Sequence, residues 1–401
     1  MSRHDPRVVV VGAGPVGLTA ALVLARAGVT VTVMERQPSL ISRSRAATFH
    51  PATLDLLARL EVAGDLIAVG TVVDRLQWRS RRGVLAEMDM GLLNGLTRHP
   101  FRLHAEQTTL LELLADRLRR HRHARLRLAA PVDVISDHGR ELRVRAGGRW
   151  EAADYVIAAD GAHSTVRTAL AVPFTTIPYP TQALRIFTDT PLQELLPGLA
   201  PLTYVRDRDV SCSLLRLPDH WRLVFRVPAD ADSSPSAVSA LARQAVGGGE
   251  LRIVDAHTFR LARGVVPAFR QGRVLFVGDA AHVTTTAGGL NMNAGIQEAA
   301  ELGDVVAAVL GDGSPEAALD AWAARRRRII LEAVIPRAEA RVTGVQDGDR
   351  RRLRHAITRL CSIAADPAAA RAYLAEASLL DTPYQPNEGR SDAHLAAEAH
   401  R

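Results

Sequence analysis

At 401 residues, with 47% hydrophobic and 23% charged side chains, the chain is long enough for two intertwined units plus a tail and carries no apolar run long enough to span a bilayer. Cys212 and Cys361 are its only cysteines, too few for a disulfide framework and without metal-ligand spacing, so no metal and a reducing cytoplasm are expected. The net charge of +7 rests on arginine alone, since lysine is absent, and with aromatics at 4% there is little material for base stacking, so a nucleic-acid partner is not expected.

In chain order, the apolar run 8–11 predicts a buried parallel strand and the Ala/Leu-rich segment 18–27 a helix. Between them stands Gly12-Ala13-Gly14-Pro15-Val16-Gly17, in the strand, turn, helix context that a dinucleotide-binding fingerprint requires. Gly12 permits the tight turn, Gly14 lets the backbone approach a pyrophosphate, and Gly17 allows close helix packing. A second strand over 29–34 ends at Glu35, with Arg36 beside it, where a ribose hydroxyl needs an acceptor. The basic start and apolar stretch do not read as a secretory signal, because glycines and a proline interrupt them.

Residues 51–60 form a helical stripe, 76–90 a hairpin around Arg82-Gly83, and 108–121 a helix, followed by strands near 126–135 and 141–146. The arginine clusters at 117–127 and 325–328 lie beside helix-like patterns and read as solvated faces. The apolar strand 155–159 runs directly into Asp160-Gly161. A β-rich middle follows, with strands at 184–188, 202–205, 210–217 and 221–227, and segment 230–239 is an expected exposed loop. The buried-strand pattern returns at 273–277 and delivers Gly278-Asp279, after which the chain is mainly helical from 296 and ends in a polar tail beyond Pro386. No second glycine-rich fingerprint and no internal repeat emerge.

Three nucleotide-binding fragments thus stand in order: the glycine motif at 12–17, Asp160-Gly161-Ala162-His163-Ser164-Thr165-Val166-Arg167, and 273–282, which ends in Gly278-Asp279-Ala280-Ala281-His282. Together they resemble the signatures of the class A flavoprotein monooxygenases, the family of para-hydroxybenzoate hydroxylase and the aromatic polyketide hydroxylases, over roughly residues 7–345. Segment 45–54 is similar to the family segment that carries an arginine near the flavin, here Arg45, and Gln107 resembles a glutamine that touches FAD. The resemblance implies an α/β fold: a Rossmann-like FAD-binding domain (1–75, 100–172 and 270–345) interleaved with a β-rich substrate domain (76–99 and 173–269), then a helical C-terminal region (346–401).

It also implies FAD as cofactor, NADPH or NADH and O2 as co-substrates, and oxygen transfer from a flavin hydroperoxide to a phenolic or polycyclic aromatic natural-product intermediate, by a cytoplasmic monomer or homodimer. Asp160 and Asp279 would take part in FAD binding, Asp279 at the ribityl hydroxyls, with Gly278 and Gly289 shaping the approach. Backbone N–H groups near Met292 and Asn293 would face the flavin, where the helix dipole favours negative charge. Phe187, Tyr204, Ser213, Leu215, Phe225 and Arg226 are the candidate substrate-lining residues, with about half expected to point elsewhere by strand alternation. His282 reads as structural, and no general base is assigned. Thr284-Thr285-Thr286 stands where the family usually has prolines, and Asn291 where a glycine is frequent. Epoxidation, Baeyer–Villiger insertion, oxidative decarboxylation and flavin binding without catalysis are the alternatives. Halogenation is disfavoured, because the Trp-x-Trp-x-Ile-Pro segment is absent.

Overall fold

The run of valines near the start can be buried on both faces only inside a sheet covered on both sides, and that is where it lies. In the computed structural model, which describes residues 7–40, 46–139, 141–207, 209–311, 313–342 and 350–382, strand Arg7–Val11 is central to a six-stranded sheet. It pairs in parallel with Thr30–Met34 on one side and Tyr155–Ala158 on the other. Ala124–Arg127 extends the sheet at one edge and Val274–Phe276 at the other, both in parallel, and Arg270–Gln271 closes the second edge as a short antiparallel hairpin. Helices Pro15–Arg26 and Leu290–Gly311 pack together against this sheet through Leu18, Leu22, Ile296 and Leu302, all fully buried.

The second layer is an eight-stranded sheet in the order His282–Val283, Ile253–Val265, Ile177–Thr188, Trp221–Pro228, Ser211–Arg216, Leu202–Arg206, Arg75–Ser80, Gly83–Asp89. The early hairpin joins the β-rich middle because Leu202–Arg206 pairs in parallel with Arg75–Ser80. A small antiparallel sheet (Val132–Asp137, Leu142–Ala146, Arg149–Ala153) stands apart, since Ala129 at φ +50° and Pro131, which lacks a donor, break the chain away from Ala124–Arg127.

Three expectations need correction. The second half of the expected loop 230–239 is helical: Pro235–Ala245 starts at Ser234, whose hydroxyl accepts the Ala237 N–H, with Pro235 at the first position. Strand Ile253–Val265 was missed, because its polar and charged residues fall on both faces and erase the alternation that marks a half-buried strand. The long helix expected from 296 begins six residues earlier, at Leu290.

The C-terminal helices do not stand alone. Ala317–Ile329 continues through a π turn at Ile330–Val334 into Ile335–Ala340, and Pro336, which lacks an N–H, follows that turn. Pro367–Ala377 buries Ala370 and Leu374 against Trp78, Met88 and Met90, so it covers one end of the large sheet. The tail beyond 386 lies outside the described residues.

Candidate functional site

Strand Arg7–Val11 ends at Gly12, which turns with φ +102° so close to its neighbour that a Cβ would lie 2.5 Å from the Ala159 carbonyl oxygen. Gly17 packs beneath the same turn, and a Cβ there would overlap the Gly12 carbonyl oxygen. Gly14 is different: its backbone is extended (φ −72°, ψ 177°), nothing lies within 4 Å of the place its Cβ would take, and no side chain caps the helix it opens. The N–H groups of that first turn therefore look onto open space lined by Gly12, Gly14, Pro15 and Val16, a site suited to negative charge. Glu35 reaches the same turn. Its Oε2 accepts the Ala13 N–H at 2.8 Å and its Oε1 the Gln37 N–H at 2.9 Å, leaving acceptor capacity on both, and Arg36 stands exposed beside it.

The second and third fragments are tied together by one guanidinium. Arg167 donates to the Ala280 carbonyl at 2.8 Å, the Asp279 carbonyl at 3.3 Å and the Ala162 carbonyl at 2.5 Å, and lies 3.8 Å over the Phe174 ring. Asp160 Oδ2 accepts Thr165 N–H, Thr165 Oγ1 and Val166 N–H at 2.7–3.1 Å, whereas its buried Oδ1 has no partner. Asp279 accepts from the Asn291 amide at 2.7 Å. Asn291 also bonds His282 Nδ1 at 3.0 Å, and His282 Nε2 faces Glu298 at 2.9 Å. Burial opposes a charge on His282, but the Glu298 carboxylate beside it outweighs burial and holds the imidazole above its ordinary range. His282 is thus a buried structural link, and Asn291 completes a chain from Glu298 to the cavity wall at Asp279.

Gly278 does not line the cavity, and its N–H is taken by Glu298 at 2.9 Å. Asn293 is fully buried and its side chain is committed elsewhere: it accepts the His50 N–H and donates to the Thr48 and Gly289 carbonyls. Gly289, Asn291 and Met292 line the cavity at the start of helix Leu290–Gly311. Gln107 lines it too, its Oε1 accepting the Ala46 N–H at 3.1 Å. Arg45 lies outside the described residues.

The nucleotide end opens without a wall onto the large sheet, forming one cavity of about 2350 Å³. Of the residues expected to line it there, Tyr204, Ser213, Leu215 and Arg226 do. Phe225 does not: Arg222, Val224 and Arg226 face the cavity along that strand, so Phe225, one step out of phase, is buried in the core beneath the sheet. Phe187 is not a lining residue either. It is covered by His220, His257 and the Arg222 guanidinium, with ring centroids 5.5–5.6 Å from the two histidines. Sequence reasoning missed Trp78, Arg102, Tyr373 and Arg341, which come from the hairpin, a short strand and the C-terminal helices. Trp78 stacks on Tyr204 at 5.4 Å and meets Tyr373 edge-on at 5.9 Å.

The unusual loop 284–286 is clasped from the sheet. Arg226 Nη2 donates to Thr286 Oγ1 at 2.6 Å and Thr285 Oγ1 at 3.2 Å, and the Tyr179 hydroxyl lies 3.2 Å from Thr284 Oγ1. Prolines offer no hydroxyl for these contacts. Desolvation pushes Arg226 down to about 10, still a cation at neutral pH. Burial, reinforced by Arg102 and Arg341, holds His50 well below its ordinary range. Burial also pushes His104 down to about 3, against the bond to the Arg216 carbonyl. Both imidazoles are therefore neutral, and the positive potential of this half of the cavity comes from guanidinium groups.

The chain resembles known proteins along most of its length. A family model described as an FAD binding domain matches residues 5–337. The chain is 32% identical over 346 residues to 6-hydroxy-3-succinoylpyridine 3-monooxygenase of Pseudomonas putida (strain DSM 28022 / S16), covering 83% of this chain and 87% of that one. It is 29% identical to para-nitrophenol 4-monooxygenase of Pseudomonas sp. (strain WBC-3), covering 85% and 88%. The crystal structure of p-nitrophenol 4-monooxygenase from Pseudomonas putida DLL-E4 superposes with a TM-score of 0.88 at 25% identity, over 94% of this chain and 99% of that one. Aklavinone-11 hydroxylase in complex with FAD and aklavinone superposes at 0.76 and 26% identity, over 86% and 70%. Among the described residues no helix is long and apolar enough to cross a membrane.

Proposed function

The chain belongs to the FAD-binding-domain family of class A monooxygenases and is an FAD-dependent oxidoreductase, and from that premise we propose that it hydroxylates a phenolic or polycyclic aromatic natural-product intermediate. The observation that carries the proposal is the continuity of the cavity from the glycine turn to the aromatic and arginine-rich face of the large sheet. Its volume of about 2350 Å³ exceeds the few hundred to ~1,000 Å³ of an ordinary small-molecule pocket, leaving room for a cofactor and a ring system side by side.

The residues fit FAD on features of the chain itself: an open turn at Gly14, an uncapped helix start, and an unpartnered buried oxygen on Asp160. Gly12, Gly14, Pro15 and Val16 would hold the pyrophosphate, with Gly17 packed beneath them, Glu35 and Arg36 the adenosine ribose region, and Asp160 and Asp279 the ribityl side. Gln107, Gly289 and Met292 would flank the ring system. When bound, FAD accepts hydride from NADPH or NADH and makes O2 able to deliver one oxygen atom to the substrate. The protein's share is positioning and electrostatics. The first turn of Leu290–Gly311 presents the positive end of a helix dipole to the cavity, and it would favour negative charge on a ring held beside it. Arg226 holds the 284–286 loop in place through two hydroxyls, and the guanidinium groups of the sheet face lower the pKa of a bound phenol, favouring the electron-rich phenolate.

The division into an FAD-binding unit (1–75, 100–172, 270–345), a substrate sheet (76–99, 173–269) and a helical C-terminal region is proposed on the same footing, as is a cytoplasmic monomer or homodimer. The test is anaerobic bleaching of the flavin absorbance on mixing FAD-loaded protein with NADPH, alone and with a panel of phenols and polycyclic quinones. Acceleration by an aromatic is expected, followed on aeration by a product one oxygen heavier. Reduction indifferent to every aromatic, with no oxygenated product, overturns the hydroxylase reading.

A further inference from the structure

Stabilising one phenolate accounts for only part of the cavity's excess of arginine. Among the described residues thirteen arginines line it against four carboxylates, of which Glu35, Asp160 and Asp279 stand at the glycine-turn end. The fourth, Glu376, is already paired with Arg337 at 3.2 Å. Besides Arg185 and Arg222, the latter paired with Glu106, three guanidinium groups in the substrate half keep buried N–H groups with no acceptor: Nε of Arg102, Nη1 of Arg226 and Nη1 of Arg341. Arg102 is 1% exposed, and its partners are a carbonyl, Ala377 O at 2.8 Å, and the Tyr204 hydroxyl. Among the described residues no carboxylate pairs with any of these three. A buried guanidinium without a counter-charge is expensive, and a fold retains one where an anion arrives to meet it.

The three are also gathered. Arg226 hangs from the hydroxyls of Thr285 and Thr286, while Arg341 presses so closely on Gly288 that a Cβ there would overlap its Nη1. Gly288 accommodates this with φ +77°. Two cations thus flank the turn 286–288, and Arg102 lies near enough to Arg341 for their charges to repel. Trp78, Tyr204 and Tyr373 form an aromatic wall beside Arg102.

We propose that the aromatic substrate carries a substituent ionised at neutral pH, a carboxylate, received by Arg341 and Arg102 while the ring system lies along the wall of Trp78, Tyr204 and Tyr373. This rests on the hydroxylase reading of the same cavity. A carboxylate supplies two acceptors in the plane of the guanidinium fork, which a phenol oxygen alone cannot. A second anion of the same chemistry is the phosphate of the nicotinamide nucleotide, and the experiment separates the two.

The experiment titrates full-length FAD-loaded protein, without reductant, with 4-hydroxybenzoate and 6-hydroxy-2-naphthoate and with the methyl ester of each, following tryptophan fluorescence and the flavin spectrum. At least one acid is expected to bind about tenfold or more tighter than its ester. Arg341→Met should remove that preference by weakening the acid while leaving the ester within about twofold, and Arg341→Lys should restore part of it. Acid and ester bound equally well by the native protein would overturn the anion assignment while leaving the hydroxylase reading to stand or fall on flavin reduction. Binding of neither acid would overturn it as well. In a parallel arm NADPH and NADH are titrated, and a preference for NADPH that Arg341→Met abolishes, with acid binding untouched, would hand the arginines to the nicotinamide nucleotide and sink the substrate assignment.

Discussion

Three glycines within one six-residue turn, Gly12, Gly14 and Gly17, should respond to the same substitution in different ways, because their surroundings differ. In Gly14→Ala the added methyl meets no protein atom within 4 Å, and φ −72°, ψ 177° is ordinary backbone for alanine. The folded apo-protein should be unharmed or gain up to ~0.4–1 kcal/mol from the stiffer unfolded chain. That methyl nevertheless stands in the open space before the helix start, where phosphate oxygens must come within ~3 Å of backbone N–H groups. FAD affinity should fall at least about tenfold, ~1.4 kcal/mol. In Gly17→Ala the methyl overlaps the Gly12 carbonyl, so the helix must move and the apo-fold should lose ~1–3 kcal/mol. Gly12→Ala adds to a contact of 2.5 Å the strain of φ +102°, ~1–2 kcal/mol more. Urea unfolding of apo-protein and fluorescence titration with FAD separate the two effects. If Gly14→Ala binds FAD at native affinity, or unfolds as readily as Gly17→Ala, the reasoning about this turn is wrong.

Phe225→Ala should cost ~3–5 kcal/mol of stability as a core deletion, whereas Ser213→Ala at the cavity wall should leave the unfolding midpoint nearly unchanged; equal midpoints for the two in urea would contradict the phase assigned to these strands. Glu301→Gln strips the buried Arg326 of its partner and exposes Arg325 to the same loss, so a drop of ~3–5 kcal/mol is expected by thermal and urea unfolding, and a change below ~1 kcal/mol would show that the pair is replaced by solvent. His104 has a folded pKa of about 3, below the ~6.5 of the unfolded chain, so the native state binds fewer protons and stability falls as pH drops through 6.5 toward 3. Each pH unit in that window should cost ~1.4 kcal/mol for this residue, and His104→Asn should flatten the stability profile by about one proton's slope; an unchanged slope refutes the buried neutral imidazole.

Much of the nucleotide end was legible because its chemistry is local. A strand, a glycine turn and a helix start lie within a dozen residues, so the roles of Gly12, Gly14 and Gly17 follow from sterics that operate between near neighbours. The three motifs could be recognised separately, but why they belong together required Arg167, whose guanidinium joins one to the backbone of another 113 residues away. The loop residues at 284–286 and 291 stood out only as departures. The fold supplied their partners, Arg226 and Tyr179 for the threonines and the chain of His282 and Glu298 for Asn291.

The substrate half was hardest to read, and for a physical reason. Strand alternation told that half of each strand faces the cavity, but which half depends on register, so Phe225 was misplaced while Arg222 and Val224 on the same strand were missed. Arg102 sits on a three-residue strand, Trp78 in a hairpin, Arg341 just past the end of helix Ile335–Ala340 and Tyr373 on helix Pro367–Ala377, and nothing in their local patterns distinguishes them from ordinary surface or core residues. The glycine turn and the first buried strand and helix were readable along the chain, since they depend on contacts between residues close in sequence. Only the tertiary structure decided which arginines and rings share a wall, because that convergence is set by the pairing of Leu202–Arg206 with Arg75–Ser80 and by the docking of Pro367–Ala377 across the sheet's end.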